Sequence, residues 1–289
     1  MMKKKTIFIV SFLLLITIAF HSKTAKAQVT VSAQAASLMN ADTGEFLFTK
    51  APNLELPIAS LTKIMTAIIA IENGDLNALV TISEEAANQP PSKLYLQPGD
   101  SLTLEDLLYG LLLESGNDAA YAIAEYIGGN VENFVQLMNQ KAQSLGLYNT
   151  TFTNPSGLSE PAPNISTVID LARLMRYTMQ NPSFAKIAGT KSYQTTTTLG
   201  VPLEFQHKHR LVQQVDYVIA GKTGYTQASG RTLISYAVSN GIPLITVTLN
   251  DPDDWVDHLN MFQYGYSLYG IDVPTPEIRG EEELENQEE

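Results

Sequence analysis

The stretch Pro57-Ile58-Ala59-Ser60-Leu61-Thr62-Lys63-Ile64-Met65-Thr66-Ala67 sets a hydroxyl and an amine three residues apart at the start of an apolar run of helical period. Pro57 precedes the run and Asn73-Gly74 closes it, so the pattern predicts a helix from Ser60 to about Glu72. On such a helix Ser60 and Lys63 face the same way, one turn apart. Ser60 falls at or near the N-terminus, where free backbone N–H groups and the helix dipole favour negative charge. The neighbours of Lys63 are apolar or small, and burial among them lowers the pKa of an ammonium toward the range of a general base. A base beside a serine hydroxyl makes a nucleophile of it. Alone the pattern is weak: a chain this long holds about one serine-x-x-lysine by chance, and a helix cap followed by an exposed lysine accounts for it as well.

Upstream, residues 35–50 alternate around Asn40-Ala41-Asp42-Thr43-Gly44 and predict a hairpin. Downstream, Leu76 to Leu145 is mostly helical in pattern, broken at Gln89-Pro90-Pro91, Pro98-Gly99 and Gly128-Gly129. Thr103-Leu104-Glu105-Asp106 predicts a helix start leading to Leu113, and a second helix begins near Ala119. Ser115 and Asn117 thus sit on a tight corner between helices. A further helix is expected from Thr167 to Gln180 with Ser166 as its cap. From about Tyr193 the period becomes strand-like: Tyr193–Thr197, Val201–Phe205, Tyr217–Thr223, Arg231–Ser239 and Ile242–Leu249, with a hairpin turn at Asn240-Gly241. A helix from about Trp255 to Tyr269 closes the domain. Strands therefore bracket a helical middle.

The first residues, Met1-Met2-Lys3-Lys4-Lys5, the apolar run Thr6–Phe20 and Ala25-Lys26-Ala27, have the form of a secretory signal cleaved after Ala27. About 15 apolar residues fall short of the roughly 20 that span a bilayer. Removing residues 1–27 takes five lysines and no acids, leaving 13 basic against 30 acidic residues and a net charge of −17. That charge argues against nucleic acid and anionic lipid surfaces as partners. There is no cysteine, and the four histidines lack ligand spacing, so no thiolate nucleophile, metal or cofactor is expected. Glu281–Glu289 is an acidic tail with no apolar face to lie on a bilayer. The expected organisation is a signal peptide (1–27), a catalytic domain (28–275) with a helical subdomain inserted at about 76–190, and a disordered tail (276–289).

Two more motifs change the standing of the first. Ser115-Gly116-Asn117 alone reads equally as a loop turn. Lys222-Thr223-Gly224 lies on a predicted strand with glycines around it, which suggests close backbone approach or a β-bulge. In order, with 55 residues from Ser60 to Ser115 and 107 from Ser115 to Lys222, the three motifs resemble the penicillin-recognising serine enzymes. More narrowly the chain resembles the low-molecular-mass penicillin-binding proteins that are serine-type D-alanyl-D-alanine carboxypeptidases. Asn154-Pro155-Ser156-Gly157-Leu158, Ile165-Ser166-Thr167 before Asp170-Leu171-Ala172, and Tyr225-Thr226 followed by Gly230-Arg231 extend the likeness over roughly residues 30–270.

The resemblance implies an α/β (α+β) fold, an antiparallel five-stranded sheet flanked by helices plus an all-helical subdomain. It implies that Ser60 attacks the carbonyl of the penultimate D-alanine and Lys63 takes its proton. Backbone N–H groups of Ser60 and Tyr225 form the oxyanion hole, Ser115 relays a proton to the departing D-alanine, and Lys222 keeps that network poised. Asn117 holds the peptide amide and Lys63, while Thr223, in a wall with Gly224 and Tyr225, binds the terminal carboxylate. The partners so implied are peptidoglycan stem peptides and, as covalent inhibitors, β-lactams. Larger members of this family carry a C-terminal amphipathic helix on the membrane; here an exported monomer with no such anchor is expected.

Two departures bear on this. Many relatives carry histidine where Ser156 stands, and Ile219-Ala220-Gly221 before Lys222 is closer to β-lactamases. A D,D-endopeptidase would use the same residues. A serine β-lactamase ranks lower, because no Glu-x-x-Leu-Asn loop lies between Asn117 and Lys222 and the acid there, Glu160, has the wrong spacing. A non-catalytic penicillin-sensing or wall-binding domain needs no amine beside its hydroxyl. Lys208, His209 and Arg210 are read as a solvated surface cluster, with a direct role toward the substrate carboxylate as the alternative.

Overall fold

The computed structural model describes residues 29–276. The expected signal peptide and nearly all of the acidic tail lie outside the described residues.

The chain begins with the hairpin of β1 (Ala35–Asn40) and β2 (Phe46–Lys50). Its turn is fixed by Asn40, whose Oδ1 accepts from Asp42 N and Thr43 N, both at 3.0 Å. After β3 (Leu56–Pro57), a 3-10 turn at Ala59–Leu61 runs straight into α1 (Thr62–Asn73). Every residue of α1 from Thr62 to Ala70 is buried. A helix buried along so much of its length belongs in the middle of a domain; this one is packed among helices, and its apolar residues share one core cluster with Met39, Ile234 and Ile245 of the sheet.

The helical region then follows. The short strands β4 (Leu79–Thr81) and β5 (Ser101–Thr103) pair with each other around α2 (Glu84–Ala87). α3 (Leu104–Tyr109) starts on a reciprocal Thr103–Asp106 capping box, as the sequence predicts. Past α3 the hydrogen bonding widens to a π-type turn over Gly110–Glu114, which ends with Ser115 at φ 67°. α4 (Asn117–Gly128) and α5 (Val131–Ser144) complete this layer. β6 (Ile165–Ser166) pairs with β3, and α6 (Val168–Thr178) follows. The cap of α6 is Thr167, which accepts from Asp170 N at 3.2 Å; Ser166, the expected cap, is used in β6 instead.

α7 (Pro182–Ala188), the hairpin of β7 (Ser192–Thr196) and β8 (Pro202–Gln206), and α8 (Arg210–Gln214) lead to β9 (Val218–Thr226), β10 (Gly230–Ser239) and β11 (Ile242–Leu249). The closing helix is α9 (Asp254–Ser267). Five strands form one antiparallel sheet in the order β2-β1-β11-β10-β9. Alternation along the strands divides the core: Met39, Ile234, Ile245 and Val247 face the helical layer, whereas Leu38, Ala237 and Leu244 face Phe262 and Tyr266 of α9. The motif strand β9 is an edge of this sheet, beside the N-terminal turn of α1. Its register with β10 is regular from Lys222 to Thr226, and the irregularity falls at Tyr236/Ala237, so Lys222-Thr223-Gly224 is no bulge.

α7, α8 and the β4–β5 ladder are absent from the sequence reading. α7 and α8 are seven and five residues long, too short for a periodic signal, and the two strands are three residues each.

Candidate functional site

Two tightly built turns bring the first motif to the sheet edge. Ala59 takes the left-handed conformation, φ 46°, so the chain bends sharply into Ser60. Gly224 lies against this bend: a Cβ there would stand 2.9 Å from Ser60 N and 2.5 Å from Thr232 Oγ1. Thr232 Oγ1 donates to Ile58 O at 3.2 Å, fastening β10 to the same turn. The close approach that glycines around the third motif suggested is therefore between β9 and the Ser60 turn.

Lys63 is fully buried on the first turn of α1. Its Nζ lies 2.9 Å from Ser60 Oγ, 2.8 Å from Asn117 Oδ1 and 2.6 Å from Ser156 O. The amide of Asn117 is oriented by its Nδ2, which donates to Pro90 O at 2.9 Å, so the oxygen is the atom turned to Lys63. Burial first, and then the charge of Lys222, push the Lys63 ammonium well below its ordinary pKa, against the opposing pull of Asp118. A neutral amine has two hydrogens and one lone pair. Asn117 Oδ1 and Ser156 O accept but carry no hydrogen, so they take the two N–H groups and leave the lone pair facing the Ser60 hydroxyl.

The second lysine is arranged differently. Lys222 Nζ donates to Ser115 Oγ and to Thr223 O, each at 2.9 Å. Burial, assisted by Lys208, brings it down to about 7, with Glu114 acting in the opposite sense. Thr223, Gly224 and Tyr225 line a cleft of about 480 Å³ with Ser60 and Ser115. Lys208, Arg210, Arg231, Asp254 and Trp255 form its further wall. Of the eight residues singled out in the sequence, Ser60, Ser115, Thr223, Gly224 and Tyr225 line the cleft, and the buried Lys63, Asn117 and Lys222 stand behind it, hydrogen-bonded to Ser60, Lys63 and Ser115 in turn.

Other residues of the site gave less signal. Asp118 is buried, and its carboxylate accepts from Leu94 N at 2.9 Å and Leu96 N at 3.2 Å. It thereby fixes the segment whose Pro90 and Ser92 carbonyls hold Asn117. An acid directly after the corner asparagine was the available clue. The loop of Asn154–Asn164 props the base: Thr66 Oγ1 donates to Pro155 O at 2.6 Å and Asn164 Nδ2 to Thr62 Oγ1 at 2.8 Å. Lys63 meets Ser156 through its carbonyl, a contact that any side chain at 156 supplies. The surface reading of Lys208, His209 and Arg210 holds for the first and third only in part, since both line the cleft, and it fails for His209. That ring is fully buried under Gly221, where a Cβ would come within 2.5 Å of its Cδ2, and it lies edge-on to Trp255 at 5.1 Å.

A serine on the 3-10 turn leading into α1, with a buried lysine one turn on, a hydroxyl–lysine pair opposite, and a sheet edge beside them define a serine acyl-transfer enzyme of the penicillin-recognising architecture. Residues 21–253 match the family described as D-alanyl-D-alanine carboxypeptidase, and the chain belongs to it. It is 36% identical over 220 residues to a D-alanyl-D-alanine carboxypeptidase of Bacillus subtilis, covering 74% of this chain and 56% of that one. It is 34% identical over 234 residues to another of Mycobacterium tuberculosis, covering 78% and 80%. The crystal structure of a D-alanyl-D-alanine carboxypeptidase from Mycobacterium tuberculosis superposes with a TM-score of 0.80 at 30% identity, over 89% of this chain and 97% of that one. Among the described residues no helix is long and apolar enough to cross a membrane.

Proposed function

We propose that the chain is a serine D-Ala-D-Ala carboxypeptidase that removes the terminal D-alanine from peptidoglycan pentapeptide stems outside the cell membrane. The observation that carries this reading is the buried Lys63 Nζ, 2.9 Å from Ser60 Oγ, 2.8 Å from Asn117 Oδ1 and 2.6 Å from Ser156 O, an arrangement that, with burial pushing its pKa down, suits a neutral amine whose lone pair faces Ser60. Lys63 takes the Ser60 proton as Oγ attacks the penultimate D-alanine carbonyl. Backbone N–H groups of Ser60 and Tyr225 receive the oxyanion, each contributing about 3–4 kcal/mol in comparable acyl transfer. Ser115 passes a proton to the departing D-alanine nitrogen, Asn117 keeps a second Nδ2 hydrogen for the peptide, and water releases the acyl group.

Charge supports an exposed chain end as the substrate. In a chain with 18 basic against 30 acidic residues, Lys222, Lys208, Arg210 and Arg231 gather around Thr223, where a terminal carboxylate would sit. In its protonated form Lys222 strengthens that binding. A cross-linked stem has no free terminal carboxylate on its donor strand, so the same cations favour trimming over cross-link cleavage. Asp254 is the one acid among the described cleft-lining residues, and it is engaged by Arg231, 3.5 Å away. It is poorly placed to drive deacylation of a penicillin.

The test pairs a D-Ala-D-Ala-terminated pentapeptide with a fluorescent penicillin. Release of D-alanine and lasting label on the wild type, both lost in Ser60→Ala, are expected. Label surviving in Ser60→Ala sinks the assignment, rapid penicillin turnover makes the chain a β-lactamase, and conversion of cross-linked dimers to monomeric stems without D-alanine release from the pentapeptide makes it an endopeptidase.

A further inference from the structure

Behind the cleft-lining Lys208 stands a carboxylate that the acyl-transfer steps do not use. Glu114 is the last residue before the Ser115 turn, and both of its oxygens are engaged. Oε1 accepts from Gln206 N at 2.7 Å, and Oε2 lies 3.0 Å from Lys208 Nζ. Lys208 N in turn donates to Leu113 O at 3.2 Å. The segment leaving β8 is thereby fastened to the turn that bears Ser115. The Lys208 side chain is 47% exposed, and its long stem has many rotamers open to it unless the ammonium is held.

Resting on the carboxypeptidase reading above, we propose that Glu114 is a positioning residue: it holds the Lys208 ammonium in the cleft wall, where this fixed cation acts on the Ser115–Lys222 pair. The ionisable groups that face Lys222 divide the work. Lys63, on α1, and His207 and His209, between β8 and α8, are buried, and burial keeps both rings neutral. Lys208 pushes the Lys222 ammonium down and Glu114 pushes it up. Lys63 and the histidines are held by packing, whereas the half-exposed Lys208 owes its place to a tether.

The test is the pH dependence of acylation by a fluorescent penicillin in single turnover, for the wild type, Lys208→Met, Glu114→Gln and the double variant. Glu114→Gln keeps an acceptor for Gln206 N and removes the charge that holds Lys208. With Glu114 present, Lys208→Met raises the alkaline limb, set by Lys222, by about 0.5 pH unit or more, because a like charge is removed. In the Glu114→Gln background the same change moves the limb by less than half as much, because the untethered ammonium has already swung into water. Equal shifts in both backgrounds, or none in either, overturn the proposal. If Glu114→Gln does not fold, Lys208→Arg decides, since a guanidinium still pairs with Glu114 and should hold the limb at its wild-type position. A limb displaced as far as in Lys208→Met again overturns it. Failure of the wild type to take up label at all would instead overturn the carboxypeptidase reading.

Discussion

Gly157 lies directly behind the nucleophile turn, so close that a Cβ on it would stand 1.9 Å from Ala59 O and 2.9 Å from Ser60 N. Its φ of +90° is also one that a side chain rarely tolerates. Asn154 Oδ1 accepts from Gly157 N at 2.7 Å, so the glycine cannot back away without breaking the loop that supports Lys63. Gly157→Ala should cost about 3 kcal/mol through strain and overlap, a fall in Tm of about 6–12 °C for a domain this size. Labelling by penicillin should be lost with it, because Ser60 N is displaced from its proposed oxyanion position. A variant that melts and labels like the wild type would show that the loop does not brace the turn.

Lys222 makes function and stability oppose each other. Its folded-state pKa of about 7 lies below the ordinary 10.5, so between those values the unfolded chain binds a proton that the folded chain does not. Stability therefore rises with pH across that window, and below about pH 7 the full cost of burying the ammonium, several kcal/mol, is present. Lys222→Met removes that cost while orphaning Ser115 Oγ and Thr223 O of one donor. The variant should melt several degrees higher than the wild type at pH 6, with a gain that shrinks toward pH 10, and should not be acylated at a measurable rate. A melting difference of the same size at both pH values would refute the burial argument.

The parts of the site legible in the sequence are those in which one residue type is required chemically. Ser60, Lys63 and Lys222 became legible only together, because Ser60-x-x-Lys63, Ser115-Gly116-Asn117 and Lys222-Thr223-Gly224 follow one another in the order and spacing of one enzyme superfamily. Long elements were legible for the same reason that periodicity works: β9, β10, β11, α1 and α9 each repeat their pattern over eight or more residues. The supports were not legible. Ser156 acts through its carbonyl, Gly157 through an absent side chain, and Thr167 rather than Ser166 caps α6 because pairing with Leu56 has already claimed Ser166. His209 looks like part of a basic surface run until β9 folds over it at Gly221.

Asp118 should prove nearly as important as the residues in the cleft. Its buried carboxylate accepts from the backbone N–H groups of Leu94, Leu96 and Ala119. Charge-assisted bonds of this kind contribute roughly 1.5–3 kcal/mol each, without adding fully. Asp118→Ala is expected to destabilise the fold by about 3–5 kcal/mol, measured by denaturant unfolding. Asp118→Asn keeps an acceptor and should cost less, yet it removes the charge that raises the Lys63 pKa. With Lys63 as the proposed base, which must be neutral to act, the acid limb of the acylation profile should move to lower pH in Asp118→Asn. A limb moved to higher pH would contradict Lys63 as the base.

Three buried histidines should set the acid limit of the fold. His207 Nδ1 accepts from His209 N at 3.1 Å, and His209 Nδ1 accepts from Val212 N at 3.3 Å, so protonating either ring sets N–H against N–H. His258 is enclosed by the hydroxyls of Ser235, Thr246 and Thr248. Burial depresses His207 to about 4 and His258 to about 3, and it holds His209 well below its ordinary value. As pH falls below about 6.5 the unfolded chain takes up protons that the folded chain refuses, so stability drops steadily toward pH 4. Asp251 works the other way: its carboxyl is raised to about 6, so the folded chain binds that proton first. Burial raises Asp254 as well; three depressed rings outweigh these two raised carboxyls, and the net loss between pH 6.5 and 4 should reach several kcal/mol. His258→Gln, which has no proton to gain, should show a flatter profile of Tm against pH over that range. An equally steep profile would move the acid sensitivity away from His258.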